Sequence, residues 1–356
     1  MDPRTKQLAK LLVNYSLDVK PNEKVIINGD IEAKEFIEAL YKEVILKGAH
    51  PIIKVNLSNL NHFFYKYANK NQLERFPEEW FNTVKGAQKY IGILTEANTK
   101  ELSNIDPKKI ISRQKITAPI SHYIVNSKPQ MVRCTVGFPC NALAQEANMS
   151  LDEYKDFVFS ACLQDWKKLG KKLDKVKAKF KKNSHVHLIG ENIDLKFNVH
   201  GDKAIASKGM ENMPDGEVFM APVRESVNGW VRFEYPAIRN GKEVTGIFLR
   251  FKEGKVIEAK ADKNQDFLIQ MLTTDANSSY LGEFGIGGNP KVTKFTGELL
   301  YDEKISGTIH LALGMAYKEN GGGNDSAIHW DIVKDMKNAK IIVDNKRIQE
   351  NGLWKI

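Results

Sequence analysis

Short apolar runs alternate with helical patterns through the first half of the chain. Apolar positions recurring at helical spacing predict a helix over residues 32–48. Four apolar runs predict strands, namely KVIIN (24–28), PIIKV (51–55), YIGIL (90–94) and MVRCTVGF (131–138). Such alternation is typical of a parallel sheet with crossover helices. No glycine-rich turn follows the first strand, so this Rossmann-like pattern carries no sign of a bound cofactor.

The pattern changes after residue 182. Short strands separated by turns are predicted for HVHLIG (185–190), IDLKFNV (193–199), EVFMAP (217–222), GWVRFEY (229–235), VTGIFLRFKEGKVIEAKA (244–261), GTIHLALG (307–314) and AKIIVD (339–344). This succession favours an α+β domain with mainly antiparallel strands. We therefore expect an α/β domain over residues 1–182, with a mostly parallel sheet, and an α+β domain over residues 183–356 that carries the active site.

A lysine-rich segment lies between the two patterns, at residues 165–182. Its residues Leu169, Leu173, Val176 and Phe180 recur at spacings of four, three and four, which predicts one apolar stripe of an amphipathic helix. The lysines then occupy the solvated face. This helix accounts for a large share of the net charge of +9 without a nucleic-acid partner. We predict that it ends the first domain.

Size and composition are those of a globular protein. A chain of 356 residues exceeds what one core usually supports, which also predicts two domains. No apolar stretch approaches the ~20 residues of a membrane span, and the charged opening MDPRTKQLAK does not resemble a signal peptide. Cys134, Cys140 and Cys162 have no metal-binding spacing and cannot all pair. They are typical of reduced thiols, so we expect a cytoplasmic protein that binds no membrane.

The candidate chemistry is concentrated between residues 307 and 333. His310, Tyr317, His329 and Asp331 lie there on short apolar runs broken by a glycine cluster. In a strand, His329 and Asp331 would point to the same side and Trp330 to the other. An imidazole and a carboxylate on rigid strands suit zinc, cobalt or manganese. A hydrogen-bonded pair at the surface is the alternative for an isolated His-x-Asp.

Two glutamates upstream have glycine neighbours. Glu217 follows a Pro-Asp-Gly turn, and Glu283 lies within YLGEFGIGGNP (280–290). Glycine lets a carboxylate approach a metal or substrate closely, although a solvated glutamate after a turn is the alternative for each. The glycines of residues 282–288 match no nucleotide-binding pattern, because no Lys-Ser/Thr follows them. His185 and His187 could share a strand face, but no glycine-flanked carboxylate lies near them, so we interpret them as structural or surface residues.

Several strings resemble the aminopeptidase T group of metallo-aminopeptidases, which includes aminopeptidase S and peptidase S. They are PDGEVFMAP, SVNGWVRFEYPA, YLGEFGIGGNP, GTIHLALGMAY and SAIHWDIV, in that order over about 120 residues, with a further likeness over residues 137–166. The resemblance implies a homodimer that acts on peptides. It also implies an essential phenol at Tyr317 and two divalent metal ions bound by Glu217, Glu283, His310, His329 and Asp331.

Peptide hydrolysis requires a strong nucleophile at neutral pH and stabilisation of the developing oxyanion, and two neighbouring metals can supply both. Glu283 is our preferred catalytic bridge between the metals, because its glycine setting leaves both oxygens accessible. The phenol of Tyr317 could donate to the tetrahedral intermediate, or the ring could simply cap the strand. Another metal-dependent hydrolase, an amidase or a phosphoesterase with Arg224 or Lys318 near the phosphate, is the second hypothesis. A non-enzymatic basic binding protein is the third.

Overall fold

The computed structural model describes residues 1–239 and 241–355. Its helices are α1 (Pro3–Leu11), α2 (Lys34–Leu46), α3 (Leu60–Tyr67), α4 (Lys70–Glu74), α5 (Glu78–Lys85), α6 (Pro107–Asn126), α7 (Asn141–Glu146), α8 (Leu151–Cys162), α9 (Trp166–Lys177), α10 (Gln265–Leu272) and α11 (Leu299–Asp302).

The strands of the first two-thirds are β1 (Lys24–Asp30), β2 (His50–Asn56), β3 (Lys89–Leu94), β4 (Val132–Gly137), β5 (Ser184–Gly190), β6 (Ile193–Val199), β7 (Ile205–Ser207), β8 (Asn212–Met213), β9 (Glu217–Met220), β10 (Asn228–Arg232), β11 (Ala237–Arg239) and β12 (Lys242–Val244). They are followed by β13 (Phe248–Lys252), β14 (Lys255–Lys260), β15 (Leu281–Gly287), β16 (Thr308–Gly314), β17 (His329–Asp335), β18 (Ala339–Val343), β19 (Lys346–Glu350) and β20 (Leu353–Trp354).

The first compact unit comprises residues 1–164 and 209–214. Its sheet has the order β2-β1-β3-β4-β8, and neighbouring strands in the described part are parallel. Val25, Ile26 and Ile27 of β1 are buried in succession, as expected for a central strand covered by helices on both faces. The α/β class predicted from the alternating pattern is confirmed.

The second unit comprises residues 165–208 and 215–356. One sheet has the order β14-β13-β10-β6-β5-β18-β19-β20, another has the order β17-β16-β15-β9-β7, and β11 and β12 form a hairpin. Neighbouring strands in the described part are antiparallel throughout this unit. The α+β domain with mainly antiparallel strands is therefore confirmed as a fold class.

The units do not divide where the boundary at residue 182 was predicted. Helix α9 belongs to the second unit, because its buried stripe packs beside the strands of that unit: a Cβ at Gly288 would lie 2.7 Å from the side chain of Leu173. Residues 209–214 return to the first unit, where β8 pairs with β4. The apolar stripe itself is as predicted. Phe180 is buried too, but it lies beyond the last helical residue, Lys177.

Strands β15, β16 and β17 are buried on both faces almost throughout. On one face, Phe284 packs edge-on against Phe197 of β6, with ring centroids 5.1 Å apart, and against Phe180. This apolar packing on one face anchors the three strands as a rigid platform. Their opposite face carries the polar residues that the sequence singled out.

Cys134, Cys140 and Cys162 are buried and free of disulfides. Within residues 1–239 and 241–355, none of the helices is both long and apolar enough to cross a lipid bilayer.

Candidate metal centre

Strand register brings the predicted ligands to one face of the β17-β16-β15-β9 sheet. Ala312 of β16 lies opposite both Glu283 of β15 and Asp331 of β17. Gly285 lies opposite His310 in the same way. Directly opposite residues of antiparallel strands point to the same face, and so do residues two apart along a strand. Glu283, His310 and Asp331 therefore converge on one side.

The remaining two predicted ligands extend this face in opposite directions. Glu217 of β9 lies opposite Gly287, and His329 of β17 lies opposite Gly314. As predicted, Trp330 points away and is buried in the core. The five residues thus come from four adjacent strands, which hold their backbones in fixed positions.

The donor atoms lie close enough to share metal ions. The Nε2 atom of His310 is 3.4 Å from Oε2 of Glu217 and 3.5 Å from Oε1 of Glu283. The Nε2 atom of His329 is 3.3 Å from Oδ2 of Asp331. One donor atom from each of Glu283, His310 and Asp331 lies within 4.8 Å of the other two. These separations are larger than hydrogen bonds between the same groups would be, and they leave room for an ion between the donors.

Small residues on β15 and β16 make this convergence possible. A Cβ on Gly285 would lie only 1.8 Å from Nε2 of His310, so any larger residue would displace the imidazole. Gly282 forms a bulge: Leu281 pairs with Leu313, but Glu283 pairs with Ala312. The extra residue turns Leu281 to the core face while Glu283 stays on the polar face. The interpretation of Glu283 as a solvated residue after a turn is thus wrong, since it lies buried in a central strand.

Burial decreases along the cluster from His310 towards Tyr317. Glu217, Glu283, His310 and Asp331 are buried, whereas the side chain of His329 is 21% exposed. Tyr317 is 42% exposed, and its ring centroid is 5.1 Å from that of His329. The cluster therefore opens to solvent on the side of Tyr317, where a substrate could approach.

Neighbouring groups hydrogen-bond to one polar atom in each of Glu217, Glu283 and His329. The second polar atom of each side chain is left facing the centre. Lys304 donates to Oε1 of Glu217 over 2.8 Å, and the side-chain amide of Asn320 donates to Oε2 of Glu283 over 3.0 Å. Nδ1 of His329 lies 2.9 Å from the carbonyl oxygen of Met315. An Nδ1–H donated to that carbonyl leaves Nε2 as the basic nitrogen, which is the usual arrangement of a metal-binding histidine.

The ligand atoms that have no such hydrogen bond are suited to bind a metal ion. Among the described residues, Oε2 of Glu217, Nε2 of His310 and Oδ1 of Asp331 are buried without a hydrogen-bond partner. Buried polar atoms normally have partners, because an unsatisfied one costs about 1–3 kcal/mol. Oxygen and imidazole nitrogen donors are also the set that zinc, cobalt and manganese accept. The residues present therefore suit divalent metal ions.

Without metal, protons offset the negative charge. Burial lowers the pKa of His310, but Glu283, Glu217, Glu303 and Asp331 together outweigh it and raise the pKa to about 9. The pKa of His329 is likewise raised well above its usual value, since Asp331 and Glu283 outweigh burial. The pKa of Glu283 is raised by burial. Protons on these groups and metal ions are thus competing ways to neutralise the carboxylates.

Several residues beside the cluster were not predicted. Lys304 and Glu303 lie in the polar segment YDEKIS (301–306), which has the composition of a surface turn, and Asn320 lies in a glycine-rich loop. Arg239 donates to the carbonyl oxygen of His329. Burial lowers the pKa of Arg239, and the charge of Asp331 opposes that effect. Nothing in the local sequence marks these residues, because their roles arise from contacts across the fold.

His185 and His187, which we interpreted as structural or surface residues, lie on β5, outside the candidate metal centre. Nε2 of His187 is 2.8 Å from Asp194, and Nδ1 of His185 is 2.9 Å from Asn198. Both partners are on the neighbouring strand β6, so each imidazole is part of a cross-strand hydrogen bond.

The chain is similar to proteins of known family. Residues 1–354 match the family model described as thermophilic metalloprotease (M29). Aminopeptidase AmpS of Bacillus subtilis is 25% identical, over 97% of both chains. Aminopeptidase T of Thermus thermophilus is 28% identical, over 91% of this chain and 90% of its own length.

Solved structures share the fold. The wild-type AmpT structure from Thermus thermophilus superposes with a TM-score of 0.86 at 23% identity, covering 99% of each chain. A dioxygenase from Pseudomonas putida superposes with a TM-score of 0.63 at 12% identity, covering 98% of this chain and 96% of its own. At these identities the likeness concerns the arrangement of the backbone alone.

The raised imidazole pKa values predict proton-linked metal binding. Because His310, with its pKa of about 9, must lose a proton before Nε2 can bind a metal, the apparent affinity for Co²⁺ should rise between pH 6 and pH 8. One released proton corresponds to about a tenfold gain per pH unit. Calorimetric titration in buffers of different ionisation enthalpy would count the protons. An affinity that stays flat over this range, with no proton released, would contradict the assignment.

Proposed function

This chain belongs to the M29 family of thermophilic metalloproteases, and we propose that it is a metallo-aminopeptidase that removes residues from the N-termini of peptides. The observation that carries the proposal is the convergence of three carboxylates and two imidazoles, with unpartnered donor atoms, on one buried sheet face. Relatives that match over nearly the whole chain are named aminopeptidases, which supports the same activity here.

We propose that Glu217, Glu283, His310, His329 and Asp331 bind two divalent ions, zinc, cobalt or manganese. Three carboxylates offset most of the charge of two dications, and five donor residues exceed what one tetrahedral ion requires. Glu283 is the proposed bridge, because its Oε1 lies 3.5 Å from Nε2 of His310 and its carboxylate is within 4.8 Å of a donor atom of Asp331. Ions bound there would lower the pKa of a water nucleophile and polarise the scissile carbonyl.

Side chains of the protein supply the rest of the proposed chemistry. Tyr317 lies at the exposed end of the cluster, beside His329, where its phenol can donate a hydrogen bond to the oxyanion that develops on the scissile carbonyl. Glu283 is rigidly held by Asn320 and buried, so its carboxylate is preorganised before substrate arrives.

Arg224 and the lysines of α9 do not support the phosphoesterase and basic-binding alternatives. Arg224, a candidate phosphate donor, donates to Asn277 and lies over the ring of Tyr280 at 3.9 Å, so its guanidinium is already engaged. Most lysines of α9 are solvent-exposed opposite its buried stripe, as a solvated face requires. We also propose a homodimer, which the family resemblance implies, and a cytoplasmic location, which suits the buried free thiols.

Exhaustive chelation is expected to abolish hydrolysis of an aminoacyl p-nitroanilide, and zinc, cobalt or manganese should restore it, because the proposed ligands offer only oxygen and nitrogen donors. A substrate with an acetylated amino group should be hydrolysed far more slowly. Rates followed by absorbance, with metal content measured by mass spectrometry, test both points. Full activity in protein shown to be free of metal would refute the proposal.

Ligand variants separate the proposed centre from the other histidines. Glu283→Gln and His329→Ala should each lose at least one metal equivalent while the far-ultraviolet circular dichroism stays that of the folded protein. His187→Ala is the matched control, since that imidazole contacts Asp194 instead. The assignment is wrong if His187→Ala loses metal and His329→Ala keeps the full complement.

Tyr317→Phe tests mechanism. A donor to the oxyanion acts mainly in the transition state, so kcat and kcat/KM should fall together, by about a hundredfold to a thousandfold. Metal content and folded stability should barely change, because the exposed ring is retained. If steady-state kinetics of the metal-replete variant showed a kcat within about fivefold of wild type, far short of those typical losses, Tyr317 would be an aromatic cap on the strand.

A further inference from the structure

Lys304 is a buried lysine in direct contact with the candidate metal centre. It lies between α11 and β16, and it is 1% exposed. Its ammonium group is 2.8 Å from Oε1 of Glu217 and 2.7 Å from Oε2 of Glu303. An isolated buried ammonium carries a large desolvation cost, so it persists only where partners offset that cost. The three side chains are therefore held in one geometry.

This geometry determines how Glu217 faces the cluster. Because Oε1 accepts from Lys304, the carboxylate cannot rotate freely, and Oε2 points towards Nε2 of His310 at 3.4 Å. Oε2 is also one of the buried oxygens without a hydrogen-bond partner. Lys304 thus occupies the oxygen that faces away from the centre and leaves the other oxygen available.

A lysine beside a metal site also has an electrostatic cost. Its positive charge repels a dication, and in a buried site that repulsion is screened far less than in water. Glu303 also contacts the ammonium group, at 2.7 Å, and its carboxylate offsets this positive charge. Lys304 can therefore orient Glu217 without neutralising the negative charge that a metal ion requires.

We propose that Lys304 and Glu303 are positioning residues, an ion pair that holds Glu217 in its metal-binding orientation and sets the affinity of the adjacent metal ion. The proposal rests on the metal centre assigned above. Partners that orient metal ligands typically contribute about tenfold to a hundredfold to metal affinity.

The chain offers a matched control in the same unit. Lys334 of β17 is also 1% exposed, and its ammonium is 2.7 Å from Glu234. It follows Asp331 by three positions in the strand, so it points to the opposite face from that ligand. Removing Lys334 and Glu234 deletes a comparable ion pair without touching a proposed ligand.

The test is a Co²⁺ titration of metal-free Lys304→Met/Glu303→Gln, followed by visible absorption and compared with Lys334→Met/Glu234→Gln and wild type. The double variant deletes one positive and one negative group, so the net charge of these two side chains is zero both before and after the change. We expect one Co²⁺ equivalent to bind about tenfold to a hundredfold more weakly in this variant, and both equivalents to bind normally in the control.

The outcomes separate the two proposals. Normal binding by wild type together with unchanged affinity in Lys304→Met/Glu303→Gln overturns the positioning role alone, whereas absence of Co²⁺ binding by wild type overturns the metal centre and this role with it. If the double variant does not fold, Lys304→Gln alone decides the matter. Loss of its positive charge would by itself strengthen Co²⁺ binding, so weaker binding supports the positioning role, and an unchanged or stronger affinity would overturn the proposal.

Discussion

Mutual repulsion among buried carboxylates is the constraint on which the second unit depends. Glu217, Glu283 and Asp331 lie on one sheet face where little water can screen them. Such a group of charges is tolerable only when cations accompany it. The protein provides Lys304 permanently, and it leaves the two imidazoles and the unpartnered oxygens to bind either protons or metal ions. The apolar packing of Phe284 on the opposite face keeps the strands in register, so the repulsion cannot be relieved by moving them apart.

The same constraint explains the small residues of the central strands. A large side chain at Gly285 would displace His310, and the bulge at Gly282 is what directs both Leu281 and Glu283 to their proper faces. Glycine is normally unfavourable inside a strand, because it adds no packing and loses much conformational freedom. Here the space it leaves is filled by the imidazole. Glycine makes these strands intrinsically less stable, but it provides the space that the side chains of the site require.

Periodicity predicted the elements well and their long-range partners poorly. The strands β1 to β4 and the side-by-side placement of His329 and Asp331 follow from patterns of a few residues, which local physics determines. The burial of Glu283 could not be derived from periodicity, because a glycine-rich run resembles a turn as much as a central strand. The roles of Lys304 and Asn320 depend on contacts across tens of residues. The same holds for the assignment of α9 and of residues 209–214 to their units, since a helix stripe shows that a face is buried but not against which partner.

The most direct measurement is anomalous diffraction from crystals loaded with Co²⁺ or Zn²⁺. The account predicts two peaks, about 3.5–4 Å apart as in other two-metal sites, with Glu283 between them. Glu217 and His310 should contact one ion, and His329 and Asp331 the other. A single peak would contradict the paired centre, and peaks beside His185 and His187 with none at Glu283 would contradict the ligand assignment altogether.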